Sequence, residues 1–113
     1  MDKTKVELLN TTTKESLTYI LNYTDGRILA VRDDANQPWH HPKNRKSYVI
    51  GSVNGVSYSG LPPGNLERKL IVGYSLFIEI VSEIYSKKEK EYRSDRVLRI
   101  QSVDSFDGEI YFD

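Results

Sequence analysis

A chain of 113 residues holds one hydrophobic core comfortably and two poorly, so a single domain over residues 1–113 is expected. Sixteen basic and sixteen acidic residues cancel, which excludes a whole-molecule field drawing the chain onto nucleic acid or anionic lipid. The lack of cysteine excludes disulfides, thiol catalysis and thiolate metal sites.

Residues 1–5 lead into no apolar run, which predicts no secretory leader and a cytoplasmic location. Residues 5–9 read as a short edge strand, followed by the polar connection 10–15. Three dipeptides then punctuate the chain: Asp25-Gly26, Asn54-Gly55 and Asp107-Gly108. Each lies between β-type apolar residues, as in hairpin turns whose central residues need φ > 0. The first predicts a hairpin of 16–23 with 27–32, the second a hairpin within 47–58, and the third a final hairpin after Val103. Prolines 38 and 42 make residues 33–46 irregular, and 59–64 form a second punctuated loop.

Residues 65–86 admit two readings. As a helix, Leu70, Tyr74, Phe77, Ile78, Val81, Ile84 and Tyr85 form an apolar stripe. As a strand, the β-branched and aromatic content fits better, and Gly73 disfavours a helix by about 1 kcal/mol relative to Ala. The expected fold is therefore mainly β (or α+β): a small barrel-like antiparallel sheet of hairpins. It has one short helix near 65–72, a strand over 75–86 and a return strand over 92–103. A single longer helix over 65–86 packed on the sheet is the alternative. The stretch 70–84 is interrupted by Gly73, Ser75, Glu79, Ser82 and Glu83 and cannot span a bilayer, so no membrane association is expected.

Two segments carry chemistry. The first is the C-terminal arm, where Arg93, Arg96 and Arg99 recur every three residues before Ile100, with Tyr92 beside them. Guanidinium groups fork onto phosphate oxygens and aromatic rings stack on bases. On a regular strand Arg93 and Arg99 share a face while Arg96 takes the other, so all three can serve one ligand only if a bulge intervenes. The plainer alternative is a solvated strand whose arginines pair with Glu89, Glu91 and Asp95. The second segment is the loop Trp39-His40-His41-Pro42-Lys43-Asn44-Arg45-Lys46. Lys43, Arg45 and Lys46 are candidate phosphate contacts and Trp39 a candidate stacking surface; alternatively, Trp39 caps the core. Adjacent histidines on an extended chain point apart, and no carboxylate or further histidine completes a metal set.

The arm resembles the end of a WYL-type domain, an SH3/Sm-like β-barrel whose last hairpin carries Arg-x-x-Arg-x-x-Arg-Ile, the spacing of Arg93, Arg96, Arg99 and Ile100. Residues 22–27 are similar to the opening strand and turn of such domains. Asp95 and Leu98 stand where the family has an aromatic and an acidic residue, and the Trp-Tyr-Leu tripeptide is missing. The resemblance implies a ligand-sensing regulator whose arginines take nucleotides or single-stranded nucleic acid.

No spacing of carboxylates, histidines or serines assembles a catalytic set, so no enzyme, cofactor or metal is expected. The leading expectation is a small binding module for a phosphate-bearing ligand, a nucleotide or single-stranded nucleic acid, acting as a regulator or as a sponge or inhibitor in phage–host conflict. The alternative is a protein–protein adaptor, inhibitor or virion-type assembly component, with a protein partner or a second copy of the chain and no small ligand.

Overall fold

The computed structural model describes residues 3–22, 26–41, 46–58, 69–82 and 90–112. Seven strands appear in chain order: β1 (Lys3–Asn10), β2 (Ser16–Asn22), β3 (Arg27–Arg32), β4 (Lys46–Val53), β5 (Val56–Ser57), β6 (Ser75–Ser82) and β7 (Lys90–Ser105). They pair antiparallel in the order β3-β2-β1-β7-β6-β4-β5. A further pairing of Arg27 with Val49 joins β3 to β4, and six strands thereby close into a barrel with β5 folded back on β4. Ile50 N donates to Gly26 O at 2.9 Å across the closing seam.

Closure depends on strands that bend, and the device is the same in three of them. Leu29 has no partner between the Ile20–Ala30 and Leu21–Ile28 pairs. Gly51 has none between Ile50–Ile78 and Ser52–Phe77, and Gln101 none between Glu7–Ser102 and Leu8–Ile100. Each is a bulge, which adds twist and curvature to its strand. A bulge also changes which residues face inward, since a one-residue shift moves side chains to the other face. In all three strands an Ile-x-x-Val spans the bulge: Ile28 with Val31, Ile50 with Val53, and Ile100 with Val103. All six side chains pack in the barrel core. Strict alternation would have turned one member of each pair to solvent.

The core also contains Val6, Leu8, Tyr19, Leu21, Tyr58, Leu70, Leu76, Ile78 and Leu98. Fully burying such an aliphatic side chain stabilises the fold by about 1.5–3 kcal/mol. A smaller cluster of Ile20, Ala30 and Trp39 sits on the outer wall, with Leu29, Phe106 and Ile110 against it.

The turns follow their chemistry. Asn54 and Gly55 take φ of 51° and 84°, the left-handed pair that joins β4 to β5. Asn10 Oδ1 accepts from Thr12 N and Thr13 N at 2.9 and 3.1 Å, which shapes the β1–β2 connection. Of the first turn, Gly26 is described, with φ of 72°, and Asp25 lies outside the described residues.

Three expectations change, and a fourth lies mostly outside the described residues. β1 is not an edge strand: it lies between β2 and β7, because Val6 and Leu8 alternate with Lys5 and Glu7 as a barrel wall requires. The helix over 65–86 gives way to β6, whose Leu76 and Ile78 are buried. Of the short helix near 65–72, residues 65–68 lie outside the described residues, and among the rest only Lys69 is helical. Residues 71–74 are a turn closed by Tyr74 N donating to Ile71 O, with Gly73 at φ 94°. The third hairpin does not form. β7 ends at Ser105, and the chain then crosses the outer wall, where Phe106 and Ile110 join the Trp39 cluster and Phe112 pairs in parallel with Trp39. Burying those two apolar side chains outweighs a short exposed two-strand ribbon.

Candidate functional site

β7 carries the arginine arm. Ser75 pairs with Arg99 and Phe77 with Val97, but Glu79 pairs with Tyr92. Two steps along β6 therefore match five along β7, and residues 93–96 form an enlarged bulge between the two registers. The two-residue alternation that would separate Arg96 from Arg93 and Arg99 does not hold across this break. Arg99 itself is exposed, flanked by Leu98 and Ile100 pointing into the core. Tyr92 is placed by its pairing with Glu79, and Arg93 and Arg96 lie on the backbone between the two registers.

The irregular loop is placed in part. Lys43 and Arg45 lie outside the described residues, and Lys46 opens β4 opposite Ser82. Trp39 is 8% exposed, with the Arg32 guanidinium carbon 4.0 Å above its ring and Phe106 meeting it edge-on at 6.3 Å. Its indole is thus a structural surface, already covered. Nor does the fold bring it to Arg99. Trp39 packs with Ile20, whose β1 partner is Lys5, whereas Arg99 pairs with Leu9, four residues and about 13 Å further along that strand.

Pairing of the loop onto β3 creates a constellation that the linear sequence conceals. Val31 and His40 exchange backbone hydrogen bonds of 2.9 and 2.8 Å. One step to either side, this antiparallel register sets Trp39 beside Arg32 and His41 beside Ala30, all on the outer face. The parallel bridge from Trp39 then brings in Phe112, whose ring stacks on His41 at 3.5 Å and 10°. Arg32, His41 and Phe112 were not legible as a group, because nothing in the residue order announces that 39–41 pairs with β3 or that Phe112 returns to it.

The electrostatics of Arg32 are unusual. Its Nε is buried without a hydrogen-bond partner, and its guanidinium makes no ion pair with a described residue. Asp34, two residues on, shapes its own turn: Oδ1 accepts from Asn36 N at 2.9 Å and its carbonyl from Gln37 N at 3.0 Å. Among the described residues no group of three His, Cys, Asp or Glu side chains is placed to hold a metal ion, and no helix is long and apolar enough to cross a membrane. Comparison with known proteins finds no family model, no curated protein and no solved structure that matches this chain.

Proposed function

We propose that this barrel is a small, non-enzymatic binding module for a phosphate-bearing ligand, with the β7 cations as the principal contacts. The observation that carries this reading is the register break between Tyr92 and Val97. On a regular strand, alternation would divide the three arginines between two faces; across an enlarged bulge that obstacle is gone. Exposed Arg99 continues the same strand. Residues 87–99 hold six cations against three anions, a local positive excess in a neutral chain. Such an excess favours polyanions and makes binding fall steeply with salt. Nucleotides and single-stranded nucleic acid present phosphate in the form that guanidinium groups grip best. A regulator, or a sponge or inhibitor that sequesters such a ligand, is the role this chemistry serves. The deciding experiment is calorimetric titration with a short single-stranded oligonucleotide at two salt concentrations, for the parent chain and Arg99→Ala. Salt-sensitive binding weakened by the substitution supports the reading, and its absence refutes it.

A second reading, a protein–protein adaptor, is favoured by one specific feature. Ile71, Val72 and Tyr74 are exposed on a single turn at the mouth of the barrel, with Val56 exposed on the β4–β5 hairpin. The backbone joins the two, since Asn54 N donates to Ser75 O at 2.7 Å. Exposed apolar groups gathered at one end are the kind of surface that protein partners cover.

A further inference from the structure

We infer that the outer face of β3 seats one nucleotide unit, its phosphate on Arg32 and its base against the His41–Phe112 ring pair. This rests on the phosphate-ligand reading above and adds a site distinct from the β7 arm. The argument begins with Arg32. An arginine on a protein surface ordinarily keeps its five donors in water or on a carboxylate. Here the guanidinium carbon lies 4.0 Å from the centre of the Trp39 ring, Nε is buried without a hydrogen-bond partner, and no described residue makes an ion pair with it. The cation–π contact holds the side chain against the indole, and with Nε enclosed the terminal Nη groups are the donors left for an oxyanion. The ordering of this long side chain is already accomplished in the free protein, which favours binding.

The second half of the seat is aromatic. His41 follows Trp39 by two residues on the same face, about 7 Å along the extended chain. It is exposed, and Phe112, stacked on it, is 37% exposed. A pre-stacked pair of flat rings beside a fixed guanidinium matches a ligand with one flat aromatic group and one oxyanion a sugar's length apart. That combination is a nucleoside phosphate. β3 and β7 are three strand spacings apart through β2 and β1, about 14 Å of sheet. A mononucleotide therefore occupies the β3 seat alone, whereas an oligonucleotide can engage β7 as well.

The test uses the full chain and three probes: inorganic phosphate, adenosine monophosphate and a short oligodeoxyadenylate. Amide and indole NMR spectra of the parent protein, titrated with adenosine monophosphate, are expected to shift at residues 30–32, 39–41 and 112, with the Trp39 indole among them. Arg32→Ala is expected to weaken adenosine monophosphate about tenfold or more, and Arg32→Lys to restore little of it, because the ammonium lacks the planar fork. His41→Ala is expected to weaken adenosine monophosphate about tenfold while leaving inorganic phosphate unchanged. Comparable per-site affinity for the mononucleotide identifies a free nucleotide as the source; tight binding of the oligomer alone, with the same resonances moving, identifies a single strand. Shifts confined to residues around Arg99 overturn the β3 seat while leaving the phosphate-ligand reading intact. No binding of any probe at low salt overturns both. The parent spectra decide the matter even if a variant fails to fold.

Discussion

Gly26 closes the barrel, and replacing it with alanine should be among the most damaging small changes available. Its φ of 72° lies in the left-handed region, where a side chain costs about 1–2 kcal/mol. A Cβ placed there would also sit 2.6 Å from Tyr58 Cε1 and 3.1 Å from Cδ1, with Ile50 Cβ at 3.5 Å. Tyr58 is itself 8% exposed within the main core, so its ring has little room to retreat. Overpacking of this kind costs about 1–3 kcal/mol. Together the two effects amount to about 2–5 kcal/mol, a large share of the roughly 5–15 kcal/mol typical of a domain. Gly55 provides the internal control. Its φ is 84°, yet a Cβ there meets nothing within 4 Å, so Gly55→Ala should show the conformational cost alone. Urea denaturation followed by circular dichroism should thus rank Gly26→Ala below Gly55→Ala by about 1–3 kcal/mol. Equal losses for the two variants would refute the argument that the Tyr58 ring holds position 26 to glycine.

Three further outcomes follow from the same structure. Trp39→Ala removes the centre of the outer cluster and the plate beneath Arg32, and should cost about 3 kcal/mol in urea denaturation, the low end for a buried aromatic. Ser102→Ala should be neutral or slightly stabilising in thermal melts, because its Oγ is buried without a partner and gains nothing from remaining polar. Deleting Gln101 removes the bulge that lets Ile100 and Val103 both face inward; chemical denaturation should show a loss of at least about 1.5–3 kcal/mol as one of them is turned out.

Much of the fold was readable because local chemistry and tertiary structure agree. Asn54-Gly55 takes the left-handed turn its residues favour, and the β-branched run after Gly73 becomes β6. The misreadings come from local signals weighed without their tertiary partners. Asp107-Gly108 carries the same turn chemistry, yet Phe106 and Ile110 have a larger apolar surface waiting across the wall, and packing prevails over turn propensity. The recurrent Ile-x-x-Val at 28–31, 50–53 and 100–103 breaks the period of two and signals a bulge, but only once those segments are known to be strands. In the candidate site, Arg99 is exposed on β7, within the return strand expected over 92–103, whereas the register break across 93–96 was not legible in the arginine spacing. The Arg32–Trp39 and His41–Phe112 contacts depend on two single bridges between distant segments, which no local pattern encodes.

The central claim is that cations on this neutral chain take a phosphate-bearing ligand, and its most direct test is calorimetry with a short single-stranded oligonucleotide at increasing salt. If Arg93, Arg96 and Arg99 each meet a phosphate, the logarithm of affinity should fall with a slope of about −2 against the logarithm of salt. Between about 50 and about 200 mM salt the affinity then drops about twentyfold, and Arg99→Ala both weakens binding and flattens the slope by about 0.7. Heat of binding that is absent at the lowest salt, or an affinity indifferent to salt and to Arg99, would contradict the account.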